Sequence, residues 1–95
     1  MNRNTTGKYH TEEIIRVITE IDDVNLMQQF FTELFTQTEL HDIAMRWELI
    51  KRLFRGDSQR KISSELGISL CKITRGSRLI KDHQSATNKI LSNIS

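Results

Sequence analysis

The sequence predicts an all-α fold, and three observations predict it. There is no proline and there are only four glycines in 95 residues, so long stretches run without the residues that punctuate turns and hairpins. Apolar side chains recur at i, i+3, i+4 and i+7, the period that lines one face of a helix. Ser, Thr or Asp stands just before several of these runs and glycine just after others, as helix ends require. A chain of this length makes one domain with a thin core. Cys71 is the single cysteine, so no intrachain disulfide can reinforce that core and oligomerisation is the remaining source of stability. The lone cysteine, the want of an apolar run long enough to span a bilayer and an N-terminus without a signal pattern point to a cytoplasmic protein with no membrane partner.

Residues 1–10 are polar and aperiodic and are expected to form a disordered N-terminal arm, leaving residues 11–95 as the single domain. From Thr11, the side chains of Ile14, Ile15, Val17, Ile18 and Ile21 form a broad apolar stripe, with Glu12 and Glu13 near the positive end of the helix dipole. The β-branched content of this stretch also suits a strand. Asp23 can cap a second helix whose Leu26, Met27, Phe30, Phe31, Leu34 and Phe35 make one strongly apolar face. Left exposed in a monomer, that face would be costly. Thr36-Gln37-Thr38-Glu39 has the capping-box pattern, in which Thr36 and Glu39 reciprocally satisfy amide donors at a helix start. The helix it opens runs through Leu40, Ile43, Ala44, Trp47, Ile50, Leu53 and Phe54 to Arg55 and stops at Gly56. Trp47 belongs to the core or to a dimer interface. After Lys81, Asp82 or Ser85 can cap a last helix with Ala86, Ile90, Leu91 and Ile94 on one face.

Residues 57–81 carry the most specific pattern, that of a helix-turn-helix. Asp57 or Ser58 caps a short helix, Ile62 and Leu66 form its inner i, i+4 pair, and Ser63 is small where the next helix approaches. Gly67 makes the sharp turn, Ile68 buries in the angle, Ser69 caps the second helix and Ile73 packs its back. Leu70, Cys71, Lys72 and Thr74 are left on or near the outward face, where a recognition helix meets the major groove. Charge agrees: residues 44–81 hold ten basic side chains against three acidic, net +7, whereas the remainder has four against nine, net −5. A basic block of this kind suits the phosphates of double-stranded DNA, and by charge alone it equally suits a solvated helix surface. Gln59, Arg60, Lys72, Thr74 and Lys81, side chains fit for base edges or phosphates, cluster around the one turn.

Leu53-Phe54-Arg55-Gly56, Ser58-Gln59-Arg60, Glu65-Leu66-Gly67 and Ile73-Thr74-Arg75-Gly76-Ser77, followed by Lys81, together resemble the tryptophan repressor family over about residues 30–91. The resemblance implies an intertwined all-helical homodimer that represses tryptophan biosynthesis or transport genes at an operator, with L-tryptophan as corepressor and no other cofactor. It implies that Arg46 meets the ligand carboxylate, that Arg75 lines the other side of the indole, that Thr36 faces the amino group and that Gly76 leaves room beside the ligand. A guanidinium suits both roles, since it pairs with carboxylate and stacks on an aromatic face. It likewise implies that Gln59, Arg60, Lys72, Thr74 and Lys81 touch operator DNA, with Arg60 reading a guanine. Two departures stand out: Leu79 occupies the place of a ligand-facing serine in the enteric repressors, and the turn Gly56-Asp57-Ser58 is one residue shorter.

Other chemistry finds little footing. Cys71 has no flanking thiol and reads as a packing residue rather than a redox switch. His10, His41 and His83 show no ligand spacing for a metal. His41-Asp42 are helix neighbours pointing in different directions, without a nucleophile or phosphate loop, so no catalytic residue is assigned and an enzyme is not expected. Two alternatives stay open: a DNA-binding regulator of this fold answering to another ligand or to none, and a helical dimer acting through protein partners.

Overall fold

A computed structural model describes the backbone of residues 3–94 and the side chains from residue 7 on. It contains α1 (Arg3–Glu20), α2 (Val24–Leu34), α3 (Gln37–Phe54), α4 (Gln59–Leu66), α5 (Leu70–Lys81) and α6 (Ala86–Ile94), and no strand among the described residues. The all-α reading holds. The contacts divide the chain into two compact units, residues 1–40 and 41–95.

In the first unit α1 starts earlier than its apolar stripe. Residues 3–10, which read as a disordered arm, continue the helix N-terminal to Thr11, and the Thr11 hydroxyl donates to the Gly7 carbonyl one turn back at 2.8 Å. The reason is cooperative: once a turn is nucleated each further residue adds a hydrogen bond, and apolar periodicity is not needed for that. Residues 1 and 2 of that arm lie outside the described residues. Ile14, Ile15, Val17 and Ile18 of the stripe are helical, not strand, and Ile21 falls just past the end of α1. Asp23 caps α2 by accepting from the Asn25 amide at 2.9 Å. Thr36 and Glu39 form the capping box at the start of α3: the Glu39 amide donates to Thr36 Oγ1 at 3.1 Å and the Thr36 amide to the Glu39 carboxylate at 2.9 Å. Those bonds hold the Glu39 carboxyl below its ordinary pKa, the backbone bond from Thr36 being the larger cause. Phe31 and Phe35 meet edge to face with centroids 5.2 Å apart. None of the described side chains from residue 7 to Leu40 is fully buried.

The second unit holds the core. Leu49 of α3, Ile62 of α4 and Ile73 of α5 are its fully buried centre, with Leu53, Leu66 and Ile68 packed around them. Three helices thus each contribute one anchor, and the turn between α4 and α5 contributes Ile68. Trp47, which reads as core or interface, stays outside this cluster and 38% exposed. The C-terminal end of α3 closes as a Schellman motif: Asp57 N–H donates to the Arg52 carbonyl and Gly56 N–H to that of Leu53, both at 3.0 Å, with Gly56 at φ +96°. The segment after α5 and the first turn of α6 then secure the end of α5. Asp82 N–H donates to the Arg78 carbonyl, the Ser85 hydroxyl to that of Leu79 and the Asn88 side-chain amide to that of Ile80, so three of the four orphan carbonyls of α5 are met. Both capping residues read from the sequence act here, Asp82 on the Gln84 amide and Ser85 on the Asn88 amide.

Candidate functional site

Local chemistry builds the α4–turn–α5 element almost residue by residue. Ser58, rather than Asp57, caps α4, its Oγ accepting from the Lys61 amide at 3.1 Å. Gly67 ends α4 in the left-handed region, φ +65°, and Ser69 caps α5 by accepting from the Lys72 amide at 3.4 Å. Ser63 is more than small: its hydroxyl donates to the Ile68 carbonyl at 3.0 Å, tying the turn to the helix before it. The turn is therefore held by a carbonyl bond as well as by the burial of Ile68.

An ion-pair network fastens α4 to α3. Arg52 donates through Nε to Glu48 at 3.0 Å and through Nη1 to Glu65, while Lys51 pairs with Glu48 at 2.9 Å. Lys51 first and Arg52 second hold the Glu48 carboxyl below its ordinary pKa, and the two carboxylates, Glu48 before Glu65, raise the pKa of Arg52. The i, i+4 pair of Glu48 and Arg52 is visible in the spacing. The partner on α4 is not, because it depends on how the two helices cross.

The two sides of α5 differ sharply. Ile73, Gly76 and Ser77 are buried, whereas Leu70, Cys71, Lys72, Thr74 and Arg75 are exposed, and Gln59, Arg60 and Lys81 are exposed as well. All seven residues assigned to DNA are thus solvent-facing. Thr74 spends its hydroxyl proton on the Leu70 carbonyl at 2.9 Å, which leaves it an acceptor and a methyl group to present outward.

Behind α5 lies a cavity of about 450 Å³, lined entirely by residues 41–79 of the second unit. Its apolar lining is Met45, Leu49 and Ile50 from α3, Leu66 and Ile68 from around the turn, and Leu79 from α5. Its charged groups are Arg46 on α3 and Lys72 and Arg75 on α5, opposed by the carboxylate of Asp42. Gly76 lines it too, and a Cβ there would come within 3.1 Å of Leu53 Cδ1, so the glycine lets α5 approach α3 closely. Of the four residues that the sequence assigns to a ligand, Arg46, Arg75 and Gly76 are brought together, while Thr36 stands at the start of α3 in the capping box and is not among the lining residues. His41 and Asp42, set aside in the sequence as unable to act together, both line the cavity. The i, i+4 spacing of Asp42 and Arg46 is the signal that could have found Asp42.

Comparison with known proteins matches residues 10–95 to the family model described as Trp repressor protein. The chain belongs to the Trp repressor family. It is similar to Trp operon repressor homologs of Xylella fastidiosa, 30% identical over 73 residues that span 76% of this chain and 79% of that one. The homolog of Aliivibrio salmonicida is 35% identical over 72 residues, 75% and 67% of the two chains, and that of Chlamydia trachomatis 28% over 71 residues, 74% and 76%. As a member of the Trp repressor family it is a repressor-type transcriptional regulator. Among its described residues no helix is long and apolar enough to cross a membrane, and no group of three His, Cys, Asp or Glu side chains is placed to hold a metal.

Proposed function

We propose that this Trp repressor family protein is a cytoplasmic homodimer that binds operator DNA through α4 and α5 and uses L-tryptophan as corepressor, repressing genes of tryptophan biosynthesis or transport without enzymatic activity. The single observation that carries the reading is that α5 has an exposed outward face and a back that forms one wall of a cavity lined by apolar side chains and by Arg46, Lys72, Arg75 and Asp42. A ligand filling that cavity bears directly on the helix that meets DNA. It favours the DNA-competent setting of α5 only by binding that setting better than the alternative. Arg46 takes the ligand carboxylate and Arg75 the face of the indole.

Dimerisation is supported by the first unit, where Val24, Leu26, Leu34, Ile15 and Val17 are between 41% and 80% exposed. Apolar surface of that extent is expected to be covered by a second copy. Helix-turn-helix dimers, the tryptophan repressor among them, set their recognition helices about 34–36 Å apart, one turn of DNA. Gln59, Arg60, Leu70, Cys71, Lys72, Thr74 and Lys81 then contact the DNA.

Calorimetric titration with L-tryptophan, repeated on Arg46→Ala and Arg75→Ala, tests the pocket. Saturable binding near one ligand per subunit, lost in both variants, is expected, and a mobility shift on upstream fragments of tryptophan genes should strengthen when ligand is added. No heat at millimolar tryptophan, or a shift indifferent to it, refutes the corepressor reading.

A further inference from the structure

The corepressor reading leaves one charged group of the cavity without a task. Arg46, Lys72 and Arg75 give the cavity three cations, and Asp42 is the single carboxylate among its lining residues. Among the described residues no ion pair joins Asp42 to any of these cations, all four being absent from the ion pairs that Glu48, Glu65 and Asp57 make elsewhere. Asp42 and Arg46 stand four residues apart on α3, on one helix face with Cβ atoms about 5–6 Å apart. In a free α-amino acid the ammonium nitrogen and carboxylate carbon are about 2.5 Å apart through Cα. One such head group can therefore lie along this turn of α3, its carboxylate on Arg46 and its ammonium on Asp42. The remaining side-chain acceptors at the cavity are weaker partners for a cation. Ser69 already accepts the Lys72 amide at 3.4 Å, and His41 carries no negative charge.

We propose that Asp42 is the specificity-determining residue that recognises the ligand's ammonium group, making the cavity selective for a zwitterionic α-amino acid over a carboxylic acid of the same ring. The proposal rests on the corepressor reading. A carboxylate facing an ammonium forms a charge-assisted bond. Facing a ligand that lacks the ammonium, the same carboxylate lies near the ligand's own carboxylate and repels it. Asp42 thus acts twice, favouring the amino acid and disfavouring the deaminated acid.

The test is calorimetric titration of the full chain with L-tryptophan and with indole-3-propionate, which keeps the ring and the carboxylate and lacks the ammonium, on the wild type, Asp42→Asn and Asp42→Ala. Asp42 is exposed on a helix surface, and circular dichroism checks that both variants keep the fold. The wild type is expected to bind tryptophan at least tenfold more tightly than indole-3-propionate. Both variants are expected to lose about tenfold for tryptophan while holding or gaining affinity for indole-3-propionate. Tryptophan binding unchanged in the variants, or equal losses for both ligands, overturns the role of Asp42 and leaves the pocket standing. No binding of either ligand to the wild type overturns the pocket and this proposal with it.

Discussion

Replacing Ile73 by alanine removes three carbons from a side chain that is 0% exposed and packed against Leu49 and Ile62. At about 0.8 kcal/mol for each buried carbon the transfer loss is about 2.4 kcal/mol. The neighbours belong to α3 and α4, which the Arg52 network holds together, so they cannot close fully over the void and a cavity penalty adds to the loss. The better helix propensity of alanine returns a few tenths, about 0.4 kcal/mol. The expected cost is about 3 kcal/mol, a large share of the about 5–15 kcal/mol that small proteins possess. Leu70→Ala, three residues earlier on α5 and 61% exposed, is the control and should stay within about 0.5 kcal/mol. Urea denaturation reads both, at one protein concentration because association shifts apparent stability. At an m of about 1.5 kcal/mol/M the Ile73 variant loses about 2 M in midpoint with m unchanged. DNA binding separates the two again: Leu70→Ala should weaken it with the midpoint intact. A cost below about 1 kcal/mol for Ile73→Ala, or an equal cost for Leu70→Ala, would refute the division of α5 into a buried back and a DNA-facing front.

Gly67→Ala should destabilise by about 1–2 kcal/mol because the left-handed turn at φ +65° crowds any Cβ, and Gly67→Asn by less, as thermal melts at fixed concentration would report. Asn88 is 7% exposed and satisfies the Ile80 carbonyl, so Asn88→Ala should cost about 1–3 kcal/mol in the same assay; an unchanged melt would mean that water reaches that carbonyl. Glu39 and Glu48 are held below the ordinary 4.5, so the stability they lend is present above that value and lost as pH falls through their lowered pKa values. Denaturation midpoints should therefore fall in acid below about pH 4.5, and Glu39→Gln should make that fall shallower; an identical profile for the variant would remove the capping box as a cause.

The helix ends and two of the three buried anchors, Ile62 and Ile73, are legible because their signals are local, whereas Leu49 lies off the α3 face that the spacing marks. A capping box spans Thr36 to Glu39, a turn glycine acts on its own φ, and Ile62 and Leu66 are set on one face by a period that any helix imposes. The start of α1 is not legible in the same way, since periodicity is the signal that marks a helix in the sequence and residues 3–10 extend this one without apolar periodicity. Ser63 was readable as small but not as a donor to Ile68, because the hydroxyl's choice of partner depends on the path of the turn.

Sequence alone determined the all-α class, the α4–α5 element and which of its side chains face outward, for each follows from spacing within a turn or two of helix. The motif resemblance also groups Thr36, Arg46, Arg75 and Gly76 as a ligand site, of which the last three line one cavity. Only the tertiary structure decided that Arg52 reaches Glu65, that Gly76 faces Leu53, that Ser85 and Asn88 close the end of α5, and that Asp42 shares a cavity with Arg46. Nearly all of these meetings lie between elements, where the distance between two side chains is set by how helices cross and how turns run, and no spacing along the chain encodes that. Asp42 and Arg46 are the exception in being neighbours on one helix. Their spacing is in the sequence, but the cavity that gives it meaning forms only where the turn and α5 pack against α3.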